Sequence, residues 1–380
     1  MDKQIRAYIE EYYEELLQIL RDLCAIPAPS HHEEERAGYC RRYLEGFGAE
    51  DVTVDEAQNV VFPWGCEGSD AITVFAAHTD TVFPDTEPYP YREDEEKIYC
   101  PGVGDDTACV AVLLMMAKFF VMHNIRPAGG FLFVCNSCEE GLGNLKGTRQ
   151  LFADYAGRIR QFVTFDSTSM RGMVDRSVGS HRYEVTVRTE GGHSFNAFGN
   201  RNAIHALAEL VSSIYAIEVP HDGDSKTTYN VGDIHGGTSV NTIAQSATML
   251  CEYRSDSLAC LSEMEDRFAA LFAAAQSDEV AVEVTRIGER PCAGGLDPTR
   301  QTALSDLAAD TVAAVIGEAP ARNSGSTDCN IPHSLGIPAV CVGTMEGGGP
   351  HTREEWLYKE SLRPGLEIAL RLGLALGTAR

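Results

Sequence analysis

The stretch GFLFVCNSCEEGLG, residues 130–143, decides the fold of this chain. Its apolar first half predicts a buried strand, and the Glu139-Glu140 pair follows directly before a glycine-rich turn. Open α/β sheets bind ligands beyond the carboxyl ends of their strands, which is where this pair falls. One of two adjacent carboxylates can hold a metal while the other moves a proton. An isolated Glu-Glu pair is more often a solvated acidic turn, so the rest of the chain decides between the two interpretations.

Other metal-type ligands follow apolar runs elsewhere in the chain, at strand ends or in the loops behind them. They are His78 with Asp80, Asp105 with Asp106, Asp166, and His351 in a glycine-rich loop. Taken singly, an Asp at a strand end is more often a helix cap, and a His is more often a satisfied polar residue. Their joint placement at one edge of one sheet predicts a metal site. Imidazole and carboxylate ligands suit zinc, cobalt or manganese, and five of them suffice for two ions that share a bridging carboxylate.

The order of apolar runs predicts two domains, as expected for a chain of 380 residues. Strands and helices alternate up to Asp166 and again in the C-terminal part, which predicts an α/β fold: a mixed sheet with helices on both faces. Between these parts, half-exposed strands and two helices predict an inserted α+β domain. We place this inserted domain at residues 182–288 and the main domain at residues 1–181 and 289–380.

Two short motifs flank the predicted ligands. Ser30-His-His-Glu33 has the capping-box pattern, so we expect it to start the second helix of the chain. Ser326-Thr-Asp328 either reaches the pocket or caps a helix through the Asp328 carboxylate.

The charge and the cysteines narrow the class of protein. A formal net charge of -25 argues against nucleic-acid partners, which bind mainly through cationic groups. No apolar stretch has the length of a membrane span, and the charged N-terminus is unlike a signal peptide, so we expect a cytoplasmic protein without a membrane partner. The twelve scattered cysteines fit reduced thiols. Cys135-Asn-Ser-Cys138 has the spacing of a redox motif, yet it ends a strand instead of opening a helix, which disfavours a thioredoxin-like role.

Ordered motifs across the chain resemble a known family of co-catalytic zinc peptidases and deacylases. The family includes peptidase T, glutamate carboxypeptidase, acetylornithine deacetylase and succinyl-diaminopimelate desuccinylase. The resemblance extends from Ile26-Pro-Ala-Pro-Ser30 to the C-terminal helix. The motifs that carry it are His78-Thr-Asp-Thr81, Gly102-Val-Gly-Asp-Asp106, Cys138-Glu-Glu-Gly141, Asp166 and Gly349-Pro-His-Thr352.

The resemblance implies two divalent metal ions, zinc in the first place, and a role for each predicted ligand. The ligands would be His78 and Asp166 for one ion, Glu140 and His351 for the other, and Asp105 as the bridge between them. It also implies how the reaction runs. Asp80 would orient the His78 imidazole, and Glu139 would be the general base that takes a proton from a water held by the ions and passes it to the leaving amine. The peptide bond between Asp105 and Asp106 would be cis, as it is in the family.

The inserted domain carries family motifs as well, which make it a lid and dimerisation domain. Gly191-Gly-His-Ser194 resembles the lid motif whose histidine, here His193, reaches the active site of a partner subunit and polarises the scissile carbonyl. Asn241 and Arg254 resemble the pair that binds the substrate carboxylate. The resemblance thus implies a homodimer. Without it, Arg254 would be interpreted as a surface ion-pair residue.

We predict a two-metal hydrolase that cleaves the peptide bond of a small peptide with a free carboxylate. His351-Thr-Arg-Glu-Glu-Trp356 and the Asp-Asp bridge look closer to the peptidase T branch, which favours a peptidase. An N-acyl amino acid deacylase is the alternative enzyme, and a non-catalytic metal or peptide binder is the alternative of another class. Thr107-Ala-Cys109 replaces the lysine and glycines of many relatives, so we expect a different pocket wall.

Overall fold

The computed structural model describes residues 2–378, which form two compact units. Unit 1 extends to Ser177 and resumes at Gly295, and unit 2 is the inserted segment Val178–Gly294. No helix among the described residues is both long enough and apolar enough to cross a membrane.

The first part of unit 1 contains the site-bearing strands. Its helices are α1 (Asp2–Cys24), α2 (Glu34–Gly46), α3 (Ala108–Met122) and α4 (Lys146–Asp154). Its strands are β1 (Thr53–Val54), β2 (Val60–Trp64), β3 (Ile72–His78), β4 (Arg92–Glu93), β5 (Lys97–Tyr99), β6 (Phe131–Asn136), β7 (Ile159–Phe165) and β8 (Gly172–Ser177). Short helical turns lie at Val103–Thr107, directly before α3, and at Gly141–Gly143.

Unit 2 follows, and the chain then returns to unit 1. The elements of unit 2 are β9 (Gly179–Arg188), β10 (Gly192–His193), α5 (Ala203–Ile214), β11 (Thr227–Gly236), β12 (Thr242–Ile243), β13 (Ser246–Ser255), α6 (Leu258–Ala275) and β14 (Ala281–Arg290). The returning segment of unit 1 contains α7 (Pro298–Ile316), β15 (Ala321–Gly325), α8 (Asn330–Ser334), β16 (Ala339–Val342), β17 (Gly347–Gly348), β18 (Trp356–Tyr358), a helical turn at Lys359–Ser361, and α9 (Leu362–Thr378).

The main sheet of unit 1 is mixed, as predicted. Its strand order is β1-β2-β6-β3-β7-β16-β8-β15, and the four central strands β6, β3, β7 and β16 are parallel. Parallel strands at the centre of a sheet are covered on both faces and therefore form continuous apolar runs. Every residue of β3, β6 and β16 is buried. Because these strands are parallel, their carboxyl ends lie at the same edge of the sheet.

Helices cover both faces of this sheet. Successive residues of a strand point to opposite faces, and accordingly Phe75 belongs to a core with α1, α3, α7 and α9, whereas Val74 belongs to a core with α4 and α8. Helix α3 is buried along almost its whole length, which explains why it lacks a polar face. The predicted α/β architecture is confirmed.

Unit 2 has its own four-stranded antiparallel sheet, in the order β11-β13-β9-β14. Buried and exposed residues alternate along β9 and β13, and the buried face packs against α5 and α6 around Val185, Leu207 and Phe268. Strands β9 and β14 pair along their length, with Ser180 opposite Arg290. Domain boundaries at residues 182 and 288 would cut through both strands. An alternating pattern marks a strand but not the residue at which the chain enters another unit.

A buried histidine in α8 makes unit 1 sensitive to acid. His333 is fully buried, and its partners are the Ser177 hydroxyl at 2.7 Å, the Ala339 carbonyl at 3.0 Å and the Gln301 amide oxygen at 3.2 Å. None of these partners carries a charge. Burial lowers the pKa of His333 to about 4, so the folded protein keeps this ring neutral while the unfolded chain protonates it near pH 6.5.

We expect this histidine to destabilise the fold as the pH falls. The folded-state pKa is depressed, so full stability is present above about pH 6.5 and decreases progressively as the pH falls towards about 4. Between about pH 7 and pH 5 the loss from this one group is about 2 kcal/mol. His333→Gln cannot ionise, and its free energy of unfolding, measured in urea across this range, should fall by that much less than in the wild type. Parallel pH profiles for the two proteins would contradict the assignment.

Candidate metal centre

The carboxyl edge of the main sheet carries the predicted ligands. His78 is the last residue of β3, Asp166 directly follows β7, and Glu140 lies just beyond β6. His351 lies in the loop after β17, and Asp105 lies in the turn before α3. Because β3, β6 and β7 are parallel neighbours, their carboxyl ends lie at the same edge of the sheet, and the side chains there lie close together.

The first cluster consists of His78, Asp105 and Asp166. One potential ligand atom from each lies within 4.8 Å of the others. His78 Nε2 is 3.1 Å from Asp105 Oδ1 and 3.9 Å from Asp166 Oδ1. His78 is fully buried, while the two carboxylates are slightly exposed.

The second cluster consists of Asp105, Glu140 and His351, again with ligand atoms within 4.8 Å of one another. His351 Nε2 is 3.0 Å from Asp105 Oδ2 and 3.2 Å from Glu140 Oε1. Asp105 therefore belongs to both clusters and turns a different oxygen to each, Oδ1 to His78 and Oδ2 to His351. A carboxylate in this arrangement can bridge two ions.

The side chains present fit a pair of divalent ions. Each cluster combines one imidazole with two carboxylates, a donor set that suits zinc, cobalt or manganese. Glu140 Oε1 is buried and makes no hydrogen bond, although His351 Nε2 lies close to it. Buried carboxylate oxygens are normally paired, and a cation between the two residues would supply the missing partner.

Burial and the neighbouring charged groups shift the pKa values of the residues in the second cluster. Burial would raise the pKa of Asp105, but hydrogen bonds from the His351 and His78 imidazoles hold it below its usual range. The Asp105 and Glu140 carboxylates in turn raise the pKa of His351 to about 10. Burial raises the pKa of Glu140 to about 7. The pKa shifts of His351 and Asp105 thus arise from their contact with each other.

Asp80 organises the segment that carries the Glu pair. Its Oδ1 accepts the backbone N–H of Glu139 at 2.9 Å, and its Oδ2 accepts that of Glu140 at 3.0 Å. Its backbone carbonyl lies 3.1 Å from His78 Nδ1, with Oδ1 at 3.3 Å. The Ser30 hydroxyl donates to Oδ2 at 2.6 Å. Asp80 thus positions both the His78 ring and the backbone of the pair.

Glu139 is almost fully buried beside the first cluster. Burial, followed by the negative charges of Asp105 and Glu139, raises the pKa of Asp166 well above its usual range. The Glu139 carboxylate therefore lies near the Asp166 carboxylate. The structure brings the two halves of the Glu139-Glu140 pair to the same site.

The turn around Asp105 and Asp106 is supported from inside the protein. The peptide bond between these two residues is cis, and Asp106 Oδ2 accepts the backbone N–H of His78 at 3.0 Å. Arg36 is buried and donates to the Thr79 carbonyl and to Thr107 Oγ1. The segment Thr107-Ala-Cys109 is fully buried, so the prediction that it forms a pocket wall was wrong; it belongs to this internal support.

The capping-box prediction for residues 30–33 was also wrong. Helix α2 begins at Glu34 without a side-chain cap, because Ser30 donates to Asp80 and Glu33 is used elsewhere. Glu33 is buried, and its Oε1 accepts the backbone N–H of Cys138 and contacts its thiol. The N-terminal segment thus supports the residues directly before Glu139.

The thiols do not form a redox site. Burial raises the pKa of Cys138 to about 12, and a hydrogen bond with Cys40, together with burial, raises that of Cys135 well above its usual value. Reactive thiols need a lowered pKa and exposure. All twelve cysteines are buried thiols.

Asp328 is neither exposed to a pocket nor a helix cap. Its carboxylate is fully buried and accepts hydrogen bonds from Asn136 Nδ2 at 2.6 Å and from the Thr148 hydroxyl. Burial, assisted by the charge of Glu139, raises its pKa to about 7. Asp328 therefore ties the carboxyl end of β6 to α4, beneath the Glu pair.

Two of the predicted substrate residues lie together in unit 2. Strands β10 and β12 pair His193 with Thr242, and the Ser194 N–H donates to the Asn241 carbonyl at 2.9 Å. His193 is exposed and accepts weak hydrogen bonds from the N–H groups of Phe195 and Asn196 through Nδ1. His193 and Asn241 are thus neighbours on the surface of unit 2.

The third predicted substrate residue, Arg254, lies elsewhere. It makes a two-point ion pair with Glu252, through Nε at 2.8 Å and Nη2 at 3.1 Å. Asn241 directly precedes β12, in the loop that leads into β13 at Ser246, whereas Arg254 lies near the other end of β13. Ten residues of strand extend roughly 30 Å. One copy of unit 2 therefore cannot bring Asn241 and Arg254 to the same carboxylate.

Sequence reasoning missed several residues that support the site. They are Ser30, Glu33, Arg36 and Glu355. A weak signal existed for some of them, since Ser30 to Arg36 crowds polar residues behind two prolines and Glu355 follows His351 at a short spacing. Neither pattern states which distant backbone group each side chain would bind.

The fold and the site together define a metal-dependent hydrolase with a two-cluster centre at the edge of an α/β sheet. The profile of peptidase family M20/M25/M40 matches residues 74–374. The chain therefore belongs to this family.

Individual relatives agree with this assignment. Succinyl-diaminopimelate desuccinylase from Bordetella parapertussis is 26% identical over 256 residues, which cover 63% of this chain and 67% of that protein. The structure of aminopeptidase PepT from Bacillus cereus superposes with a TM-score of 0.71 at 22% identity and covers 95% of this chain and 97% of that one. A dinuclear metal-binding M20 peptidase from Bacillus subtilis superposes with a TM-score of 0.68 at 16% identity, covering 97% and 100%. The last two similarities concern the fold.

Proposed function

We propose that this chain is a two-metal peptidase that cleaves the amide bond of a small peptide with a free carboxylate. The observation that carries the proposal is Asp105, whose two oxygens face two separate ligand clusters beside Glu139. His78 and Asp166 would hold one ion, and Glu140 and His351 the other. Zinc is the proposed metal, and cobalt or manganese could replace it with this donor set. Bound ions would polarise the scissile carbonyl and lower the pKa of the attacking water.

Glu139 would act as the general base. Its carboxylate would take the proton from the attacking water and return it to the leaving nitrogen as the amide bond breaks. The two hydrogen bonds from the Glu139 and Glu140 N–H groups to Asp80 support this role, because they fix the backbone from which the base projects. Its burial supports it as well, since a shielded carboxylate exchanges its proton with the substrate and not with bulk water.

The substrate carboxylate would be bound across a homodimer. Asn241 and Arg254 are too far apart within one copy of unit 2, so a second copy would have to supply one of them. His193, beside Asn241, would come from the same copy as Asn241 and polarise the scissile carbonyl. Exposed apolar side chains near these residues support association through unit 2: Phe195 is 85% exposed, Phe198 90% and Val240 103%. The twelve buried thiols support a location in the reducing cytoplasm.

A deacylase is the second candidate. The curated relative named above is a desuccinylase, and a carboxylate-bearing acyl substrate would fit the same centre. A substrate panel separates the two candidates. The first candidate, a peptidase, predicts a kcat/KM at least about tenfold higher for di- and tripeptides than for N-acetyl and N-succinyl amino acids. The Glu139→Gln protein, purified in parallel, controls for contaminating peptidases. Turnover of the acylated compounds alone would replace the first candidate by the second.

A non-catalytic metal or peptide binder is the remaining alternative. The retained glutamate at position 139 argues against it, since loss of the base is the simplest way to inactivate such a centre. The binder would hold two ions and turn over neither set of compounds.

A further inference from the structure

Glu355 is a fully buried carboxylate directly before β18, four residues after His351. It accepts three backbone hydrogen bonds from the turn that carries Asp105. Gly102 N donates to Oε2 at 2.7 Å, and Gly104 N and Asp105 N both donate to Oε1 at 2.8 Å. A buried carboxylate with three N–H donors is a strong, charge-assisted anchor for a backbone segment.

The position of Glu355 along the chain links the two sides of the candidate centre. Strand β18 pairs with β5, with Trp356 opposite Tyr99, and β5 leads directly into the Gly102 to Asp105 turn. The Cys100 N–H also donates to the Glu355 carbonyl. The loop that presents His351 and the turn that presents Asp105 are therefore joined through one residue, which itself is not among the ligands of either cluster.

We propose that Glu355 is a positioning residue that holds Asp105 so that its two oxygens face the two metal clusters at a fixed distance from His351. The inference rests on the proposed two-metal function and extends it to a residue outside the ligand set. Its physical reason is that a bridging carboxylate needs both oxygens directed at once. The Asp105 N–H, held by Glu355, fixes the backbone from which that carboxylate projects.

The close packing around the turn agrees with this role. A Cβ built on Gly104 would lie 2.4 Å from Met345 Cε and 3.0 Å from Glu355 Oε1. The backbone of the turn therefore approaches the Glu355 carboxylate as closely as glycine permits, and a small displacement of that carboxylate moves the turn.

Glu355→Gln tests the proposal with little change in volume. The amide oxygen can still accept Gly104 N and Asp105 N, but its NH2 group then faces the N–H of Gly102, donor against donor. We expect the apoprotein carrying this substitution to bind Zn²⁺ or Co²⁺ about ten- to a hundredfold more weakly, measured by competition with a chelating indicator. Both sites should weaken, because Asp105 belongs to both clusters.

Asp297→Ala is the matched control. Asp297 lies in the same unit, and its carboxylate also accepts a backbone N–H, that of Thr299, where it caps α7. Its loss should lower the melting temperature and leave the metal affinity unchanged. A Glu355 role limited to stability would give the same result as this control.

Glu355→Asp carries the test if the glutamine variant fails to fold. Aspartate keeps the negative charge, but its side chain is one methylene shorter, so its carboxylate lies farther from the turn. We expect this variant to lose metal affinity as well, but less than Glu355→Gln. A folded Glu355→Gln or Glu355→Asp protein with wild-type affinity for both ions would overturn the role of Glu355 and leave the proposed two-metal function standing. Wild-type protein that binds neither ion would overturn the proposed function, and this inference with it.

Discussion

Glu139→Gln should lower kcat by about a thousandfold or more while the protein still binds two metal ions. Glutamine preserves the shape of the side chain and the backbone hydrogen bond to Asp80, but it cannot take a proton from the attacking water. The ligand atoms of both clusters belong to other residues. We therefore expect KM to change little, since this substitution removes an interaction made only in the transition state. Steady-state kinetics on the best substrate of the panel and elemental analysis of the purified protein measure both quantities.

A second glutamate variant gives the comparison. Glu354 lies three residues after His351 and is exposed, so Glu354→Gln should leave kcat and metal content unchanged. Activity of the Glu139→Gln protein close to that of the wild type would refute the proposed mechanism. A loss of metal together with activity would instead place Glu139 among the ligands.

Asp105→Asn should abolish the two-metal centre. The amide has only one oxygen and its nitrogen does not bind metal, so the side chain can serve at most one cluster where the carboxylate serves two. We expect the stoichiometry to fall from two ions to at most one. Bound metal ions stabilise the transition state of amide hydrolysis by several kcal/mol. Because about 1.4 kcal/mol corresponds to a factor of ten in rate, kcat/KM should fall about a thousandfold or more.

Variants in the outer ligands separate the two clusters. Asp166→Asn affects only the first cluster and His351→Ala only the second, so each should lose one ion and retain the other. Isothermal titration of each apoprotein with Zn²⁺ gives the stoichiometry. Two ions bound by Asp105→Asn with wild-type affinity would show that the clusters do not share this carboxylate.

The sequence predicted the positions of the candidate ligands because their signals are local. An apolar run such as that before Glu139 marks a buried strand, and a polar residue at its carboxyl end has a predictable place in an α/β sheet. His78 and Asp166 satisfy this rule directly, at the ends of β3 and β7. His351 lies in a glycine-rich loop, so the residue pattern marked it as a candidate ligand, and the resemblance to known enzymes assigned its role.

The supporting residues could not be predicted in the same way. Glu355 binds the N–H of Gly102, 253 residues away, and Glu33 binds the N–H of Cys138, 105 residues away. Every residue except proline carries a backbone N–H, so nothing in the side-chain pattern identifies the one that a buried carboxylate will meet. The Ser30 to Glu33 motif shows the error this causes, because a local capping pattern was satisfied by a distant partner, Asp80.

The sequence by itself determined the family, the α/β sheet with its inserted unit, and the five side chains that form the two clusters. Tertiary structure decided how Asp105 divides its oxygens between His78 and His351, and it placed Asn241 in the loop before β13 and Arg254 near the far end of that strand. The physical reason is the distance along the chain between the residues that interact. Periodicity and strand ends are properties of neighbouring residues, whereas the direction of a carboxylate depends on loops that meet only after the chain has folded.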